Sequence, residues 1–418
     1  MVEKVIIAIF IVTIFITGLL HYRKKNGLLS PSFIMVGFWS FMLFGALILD
    51  DGANGFVGYW WIILAIIFYV CGYNVGVRIK LSNKRILGSI SINKDLMKFT
   101  IKLIGTVLTI YYGIQFVQNG GVTGTAQNAY EYYTGETSMS LFDRILNQFQ
   151  SILMYSLPFL GGQFFACEDD RKKRMLSVFT FIPTLLSMLV SSMKLGFLVA
   201  IMMFVIGYIT VAIYRGKHIN YKFYLDLLRK YWWVAIAFVF LMIFALTIRM
   251  GLNNEFYVQV AIRKFYSYAF GSPAAFNYWL SNLNEVTLEW GTNTFMSIFN
   301  LLGIKNRVHG VYLESYSSTT LGTNVYTAFR GLVLDFGVIG ALLFILILGF
   351  FAGVMMKKYR TTASILSFIF LSMSYLFVLY SFILSPYAYT NLTVLFPIIA
   401  VFELMSRRVR IKNKVEKV

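Results

Sequence analysis

Long apolar runs constrain the fold of this chain more than any other feature of its sequence. A helix needs about 20 mostly apolar residues to cross the ~30 Å hydrocarbon core of a bilayer. Eleven runs of this kind lie at 4–20, 33–49, 57–76, 99–118, 145–166, 175–192, 195–214, 231–249, 332–356, 363–384 and 388–405. The predicted number of transmembrane helices is therefore about eleven, within a range of ten to twelve. The sequence therefore predicts an all-α polytopic membrane protein, with residues 1–418 forming a single integral membrane domain.

The charge of the chain supports this class. Only 13% of the residues are charged, whereas soluble domains carry about 25%, so a soluble enzyme and a secreted disulfide scaffold are both excluded. A net charge of +19 would suggest nucleic-acid binding in a soluble chain. Here the Lys and Arg residues flank apolar runs and orient the protein in the bilayer, so no nucleic-acid partner is expected.

The distribution of the basic residues predicts the topology. With the amino terminus outside and the carboxyl terminus in the cytoplasm, 28 of the 37 Lys and Arg residues lie on the cytoplasmic side, as the positive-inside rule requires. Two external loops are then long, at 119–144 and 250–331. The larger loop is rich in aromatic residues, which favours short helices lying at the membrane interface.

Nine basic residues remain outside, where the positive-inside rule selects against them. Lys4 and Arg144 lie at a chain end and a helix end. The other seven are Lys194, Arg249, Arg263, Lys264, Lys305, Arg307 and Arg330. We interpret these seven as a pocket for an anionic group, because the fork of an arginine matches phosphate geometry. The alternative is a set of snorkelling side chains at helix ends, with internal ion pairs.

The segment TNVYTAFRGLVLDFGVIGALLFILILGFFAG, residues 323–353, carries the strongest candidates. At 1.5 Å per residue its outer membrane boundary falls near Gly337, which places Asp335 at the boundary and Arg330 further out. Tyr326 and Arg330 are four residues apart and share a helix face. A carboxylate at this depth is costly unless it is paired or faces water. Asp335 is therefore either the ion-pair partner of an Arg or Lys or a catalytic group.

The stretch TNVYTAFRGLVLDFGVIGALLF, between the large external loop and a basic cytoplasmic turn, resembles the carboxyl-terminal signature of Wzy-type oligosaccharide repeat-unit polymerases. The segment QNGGVTGTAQNAYEYY and the cation in the turn between the sixth and seventh spans are similar to this family as well. The resemblance covers the whole chain in topology and these patches in residues. It implies a fold of the GT-C or O-antigen-ligase type.

The resemblance also implies an activity. The family joins oligosaccharide units carried on undecaprenyl pyrophosphate, in the bacterial cytoplasmic membrane and at its external (periplasmic) face. The implied partners are this lipid-linked oligosaccharide, membrane lipid, a flippase and a chain-length regulator. An acceptor hydroxyl attacks an anomeric carbon while lipid pyrophosphate leaves, and preorganised cations stabilise the departing anion.

We expect the reaction to use residues of the external segments. Candidate catalytic residues are Arg330, Arg249, His309, Glu314 and Asp335, with Glu289 as a further candidate base. Candidate substrate-binding residues are Lys194, Arg263, Lys264, Arg307 and Tyr326. The external segments contain no Asp-x-Asp pair, so neither a metal nor another cofactor is expected.

Two other functions stay open at this point. A flippase or other secondary transporter also has many spans, although transporters usually place charged residues near the membrane midplane and the middles of these runs are almost free of them. A ligase of the O-antigen type would share the lipid pyrophosphate donor and differ only in its acceptor.

Overall fold

The apolar runs form long helices. A computed structural model describes single positions between 229 and 243 and residues 2–24, 27–51, 55–80, 88–118, 121, 141–191, 194–216, 255–305, 312 and 314–411. Within this part of the chain, seven helices are long and apolar enough to cross a membrane, when the consecutive short helices of Arg171–Val190 are counted as one, and two further apolar helices are shorter. By length and composition the chain is a helical, multi-pass membrane protein.

The helices follow the predicted spans closely. In chain order they are α1 (Val2–Lys24), α2 (Pro31–Leu49), α3 (Val57–Arg78), α4 (Lys94–Gln118), α5 (Leu141–Cys167), α6 (Arg171–Arg174), α7 (Leu176–Phe179), α8 (Ile182–Ser191), α9 (Lys194–Tyr214), α10 (Glu255–Ser281), α11 (Met296–Leu301), α12 (Ala328–Thr362), α13 (Ile365–Tyr380) and α14 (Thr390–Ser406). Ten of the eleven predicted spans fall on these helices. The span 231–249 and the loop 119–144 lie mostly outside the described residues. The number of spans and their orientation stay predictions.

Two small antiparallel sheets accompany the helices, and the sequence did not predict either of them. Strand β1 (Gly88–Ile92) pairs with β4 (Arg407–Ile411), and Gly88 lies opposite Ile411. Strand β2 (Tyr316–Ser317) pairs with β3 (Gly322–Thr323) within the predicted large loop. The second sheet belongs to the segment that carries the candidate site.

The chain divides into two compact units. Unit 1 comprises Met1–Ile79, His218–Val354 and Ser374–Tyr389, and unit 2 comprises Lys80–Lys217, Met355–Met373 and Thr390–Val418. The prediction of a single membrane domain is not tested by this division and stays a prediction. Most of the candidate site residues named from the sequence belong to unit 1.

Glycines determine how α3 and α12 pack in unit 1. Gly72 and Gly76 on α3 face Gly349 and Gly353 on α12, and a Cβ atom at any of the four would collide with a backbone carbonyl oxygen of the facing helix. Small residues four apart allow this close approach in membranes, where no hydrophobic driving force acts between helices. The two G-x-x-x-G patterns therefore hold the part of α12 around residues 346–354 against α3.

We expect Gly76→Leu to prevent this packing, because the atoms that face Gly76 belong to the backbone of α12 and cannot move aside as a side chain can. Overpacking a core costs about 1–3 kcal/mol even where side chains adapt, so the loss here should exceed that range. Size-exclusion chromatography of the detergent-solubilised protein measures the fraction that stays monodisperse. Gly113→Leu is the matched control, because no described atom lies within 4 Å of a Cβ at that position. Equal elution profiles for the two variants would contradict the packing argument.

Two helices of unit 2 also pack closely at glycines. Gly162 on α5 and Gly207 on α9 each approach a backbone carbonyl oxygen of the other helix. Helices α4 and α5 enclose an apolar cluster whose buried members are Met97, Ile101, Leu108, Tyr112, Met154, Leu157, Leu160 and Phe164. Unit 2 is thus stabilised by apolar packing and by close helix contact.

The large loop is more ordered than the sequence suggested. We expected short interfacial helices, and this is wrong for residues 255–281, which form the 27-residue helix α10. Its carboxyl-terminal half packs against α2 and α3, with the ring of Phe270 against Gly45. The Asn277 amide accepts a hydrogen bond from Gly58 N–H and donates one to the Gly55 carbonyl, both at 2.9 Å. These bonds satisfy backbone groups at the start of α3, where a helix leaves its first N–H groups unpaired.

Candidate functional site

Arg330 lies in the first turn of α12 and is buried. Its side chain is only 7% exposed. The start of the helix is fixed by a hydrogen bond of 2.7 Å from Ala328 N–H to the Ser381 carbonyl. Burying a charged group is expensive unless other groups compensate for the lost water, so the surroundings of this guanidinium are informative.

Three aromatic rings surround the guanidinium. Its central carbon lies 3.8 Å from the ring centroid of Tyr312, 4.3 Å from that of Tyr326 and 4.9 Å from that of Trp279. A cation within about 6 Å of such a ring is stabilised by the ring quadrupole, and Arg also stacks on aromatic planes. We call Trp279, Tyr312 and Tyr326 the aromatic cage of Arg330. Residues far apart in the sequence therefore build one cation site.

The hydrogen bonds of the guanidinium are incomplete. Nη2 of Arg330 donates to Oε2 of Glu314 at 3.0 Å, and the Tyr326 hydroxyl donates to the Glu314 backbone carbonyl at 3.3 Å. Nε and Nη1 of Arg330 are buried and have no hydrogen-bond partner among the described residues. Two guanidinium nitrogens therefore stay available for an arginine's usual ligands, the oxygens of a carboxylate or phosphate.

The tyrosines of the aromatic cage are neutral. Burial raises the pKa of Tyr312 to about 12, although the neighbouring Arg330 charge opposes this shift. Burial also raises the pKa of Tyr326 above its ordinary value. Neither phenol is ionised at physiological pH, and neither compensates the positive charge of Arg330. The acid that contacts Arg330 in the described structure is Glu314.

Asp335 lies one turn further along α12 and is fully buried. Its Oδ1 accepts hydrogen bonds from the backbone N–H and side-chain amide of Asn293, at 3.0 and 2.9 Å. Its Oδ2 accepts from the backbone N–H and hydroxyl of Thr294, at 2.7 and 2.6 Å. Among the described residues Asp335 forms no ion pair with an Arg or Lys, which was one of its two predicted roles, and four uncharged donors satisfy its carboxylate. Asp335 therefore positions the loop at 293–294.

A break in α12 follows immediately. Gly337 has φ 75° and ψ 171°, a conformation that suits glycine because it lacks a Cβ. The break frees the carbonyls of Leu334 and Asp335, which accept hydrogen bonds of 3.1 Å from the backbone N–H groups of Glu289 and Trp290. The 289–294 loop thus binds the broken helix through its own backbone as well as through the Asp335 carboxylate.

Lys305 extends this loop network. Its ammonium forms an ion pair with Glu289 and donates to Asn293 Oδ1 at 2.8 Å and to Thr292 Oγ1 at 3.1 Å. Burial raises the pKa of Glu289, but the hydrogen bond and charge of Lys305 outweigh it and hold the pKa below its ordinary value. A carboxylate with a lowered pKa is a weak general base, which disfavours Glu289 in that role.

Asp50 is a buried carboxylate that the sequence analysis missed. At the end of α2 it accepts hydrogen bonds from the Tyr59 hydroxyl at 2.8 Å and the Tyr316 hydroxyl at 3.0 Å. Burial and the nearby Asp50 charge raise the pKa of the Tyr316 phenol, so this phenol stays a donor. The available signal was an acidic residue directly after an apolar run. Its partners lie 9 and 266 positions away along the chain, and local sequence could not indicate the distant one.

The 314–323 segment is fixed at several further points. Nη2 of Arg263 donates to the Ser318 carbonyl at 2.6 Å, and Gly322 N–H donates to the Ser267 hydroxyl at 2.9 Å. Thr320 donates to the Leu49 carbonyl. Arg263, a predicted substrate ligand, therefore holds this segment in place.

The structure brings together part of the predicted set. Arg330, Glu314 and Tyr326 are in contact, whereas Asp335 contacts the neighbouring 293–294 loop. Lys264 is exposed on α10 beside Arg263. Lys194 begins α9 in unit 2, and its side chain is outside the described residues, as are Arg249, Arg307 and His309 in full. The residues that the sequence analysis missed are Trp279, Tyr312 and Asp50.

Fold and site together define a helical, multi-pass membrane protein with a buried, partly unsatisfied arginine at the amino-terminal end of one of its long helices. Comparisons with protein-family models, with curated proteins and with solved structures find no significant match. The resemblance to the polymerases therefore rests on the sequence motifs alone.

Proposed function

We propose that the protein is a glycosyltransferase that polymerises oligosaccharide repeat units carried on undecaprenyl pyrophosphate, at the outer face of the bacterial cytoplasmic membrane. The observation that carries this proposal is Arg330. A cation buried in an aromatic cage, with two guanidinium nitrogens that lack a described partner, suits a ligand that is both anionic and rich in oxygen atoms. The resemblance of the sequence motif around Arg330 to the Wzy-type polymerases supports the choice of this reaction.

The reaction requires stabilisation of a leaving anion. The hydroxyl oxygen of the acceptor sugar forms a bond to the anomeric carbon of the donor, and the bond between that carbon and the pyrophosphate oxygen breaks. The electron pair leaves with the pyrophosphate, and the hydroxyl proton passes to a base. The guanidinium of Arg330 donates N–H groups to the developing charge in surroundings of low dielectric constant, where such interactions are strongest.

Among the described acids, Glu314 is placed best to receive the proton. It lies beside Arg330, and its side chain is 64% exposed, so an acceptor sugar can reach it. Asp335 is engaged by four donors and Glu289 by Lys305, as described above. In this proposal, Asp335 and Glu289 position the 289–294 loop.

The location of the site supports chemistry on a lipid-anchored substrate. The end of α2 and the start of α3 meet through the hydrogen bond of Asp50 with Tyr59, and Tyr316 links Asp50 to the segment that bears Glu314. The predicted topology assigns all of these positions to the outer side. A transporter is less well supported, because Arg330 and Asp335 lie at the start of α12 and not in its middle.

Deletion of the gene tests this function. We expect loss of polymer and accumulation of single repeat units on their lipid carrier, because every earlier step of synthesis still occurs. Gel analysis of surface glycan and of extracted lipid-linked intermediates measures both. Re-expression of the intact gene is the control and should restore polymer.

Other outcomes would contradict the proposal in distinct ways. Units trapped on the inner leaflet would indicate a flippase. Finished polymer that stays on its lipid carrier would indicate a ligase. An unchanged glycan profile would exclude all three functions in that cell.

A further inference from the structure

The ion pair between Arg330 and Glu314 joins two very unequal partners. The Arg330 side chain is 7% exposed and the Glu314 side chain is 64% exposed. The guanidinium is therefore fixed inside the protein, whereas the carboxylate extends towards solvent. Glu314 is therefore the solvent-facing member of the pair.

The ion pair also uses only one of the hydrogen-bond donors of the Arg330 guanidinium. A carboxylate facing a guanidinium squarely accepts two parallel N–H bonds, but here one oxygen accepts one bond, from Nη2. Nε and Nη1 remain without a partner in the described structure. An anion with more oxygen atoms could satisfy donors that Glu314 leaves unused.

We propose that Glu314 is an internal stand-in for substrate: its carboxylate occupies the position of a phosphate oxygen, and a bound pyrophosphate group displaces it. The inference concerns the same site as the proposed function and rests on it for the view that the pyrophosphate is carried on a lipid. The unsatisfied donors and the buried positive charge indicate an oxygen-rich anion, and its identity as a pyrophosphate group rests on the proposed function.

The displacement is energetically inexpensive. Ion pairs between exposed side chains are worth about 0–1 kcal/mol. Because Glu314 is the exposed member of this pair, we expect its competition with a ligand to change affinity by about fivefold. The aromatic cage does not depend on Glu314, because Trp279, Tyr312 and Tyr326 contact the guanidinium directly. A displaced Glu314 therefore leaves the cation in place for the incoming anion.

Glu314 also determines how strongly an anion must bind Arg330 in order to displace it. A weakly charged anion gains little over the carboxylate already present, whereas a pyrophosphate brings more charge and more acceptor oxygens. Glu314 therefore selects against simple carboxylates and inorganic phosphate. It also keeps the buried cation compensated between reaction cycles.

Binding measurements on the full-length, detergent-purified protein test this inference. The probes are inorganic pyrophosphate and farnesyl pyrophosphate, titrated by calorimetry at low and at physiological salt. We expect Glu314→Gln to bind both probes about fivefold more tightly than the unaltered protein, because the competing charge is removed while the side-chain shape is kept. Glu314→Ala provides a second variant without the charge, in case the amide forms a new contact.

The matched control is Glu285→Gln. Glu285 is exposed on the same unit and is not among the described contacts of Arg330, so this change removes one negative charge without altering the ion pair and should leave both affinities unchanged. Tighter binding in both Glu314 variants but not in this control supports the displacement. Unchanged or weaker pyrophosphate binding in both Glu314 variants overturns it, and so does equal tightening in the Glu285 control.

The two probes distinguish the source of the anion and separate this inference from the proposed function. Stronger binding of farnesyl pyrophosphate supports a lipid-linked ligand, and stronger binding of the inorganic probe overturns that part. If the Glu314 variants bind more tightly but gene deletion leaves the glycan unchanged, the anion site stands and the polymerase assignment fails. If deletion abolishes polymer but the Glu314 variants bind as the unaltered protein does, only the displacement fails.

Discussion

Arg330→Ala should abolish polymer while the protein remains in the membrane at near-normal abundance. Removing one preorganised donor that stabilises a developing anion costs about 100- to 1,000-fold in rate, and this change removes the whole cation. The partner left behind is an exposed carboxylate, so no buried negative charge is stranded. Glycan gels measure chain length, and immunoblots of the membrane fraction measure abundance.

Two further variants sharpen this experiment. Arg330→Lys keeps the charge but loses the planar fork and its stacking on the cage rings, so we expect at least a tenfold loss of activity. Arg360→Ala is the matched control, because Arg360 is exposed near the other end of the same helix, and it should leave polymer unchanged. Polymer of normal length from Arg330→Ala would show that Arg330 does not hold the pyrophosphate.

Asp335→Asn should destabilise the protein more than any other isosteric change near the site. The carboxylate accepts four hydrogen bonds from Asn293 and Thr294, and an asparagine amide presents N–H groups to some of these donors. Each buried donor left without an acceptor costs about 1–3 kcal/mol, so a total of about 3 kcal/mol or more is expected. Thermal unfolding of the purified protein, followed by its loss of monodispersity, measures the shift.

This variant also separates the two roles that Asp335 could have. Glu285→Gln, a carboxylate-to-amide change at an exposed position, should leave the unfolding temperature unchanged. A positioning role predicts a lowered unfolding temperature together with reduced activity. A variant that unfolds at the normal temperature but makes no polymer would instead assign Asp335 to proton transfer.

The sequence predicted the helices well because span length and hydropathy are local properties. Where charged residues dilute the apolar pattern, the prediction failed, as in α10, whose Arg263 and Lys264 concealed a 27-residue helix. The close packing of α3 against α12 was also present in the sequence, as the pairs Gly72–Gly76 and Gly349–Gly353. It required only a search for glycines four residues apart.

The candidate site was predictable in part. Arg330 and Tyr326 belong to one motif and could be found together, and Glu314 could be proposed as an acid from the same loop. Trp279 could not be assigned to Arg330, because the packing of α10 against the rest of unit 1 brings it there. Tyr312 could not be assigned either, because it lies in a non-helical segment with no regular spacing to Arg330. For Asp335, an ion pair and a catalytic role were the two predictions, and the four donors of Asn293 and Thr294 were not foreseen, since backbone N–H groups leave no signal in a sequence.

The break at Gly337 divides α12 into a short segment that bears Arg330 and a long segment that follows it. The ladder of helical hydrogen bonds is interrupted there, so the short segment that bears Arg330 is anchored by the 289–294 loop and does not simply continue the long rod that follows. We therefore expect a tilt of that rod with bilayer thickness to be transmitted only in part to the arginine. Amino-acid changes in the loop, by contrast, act on the helical segment that bears Arg330.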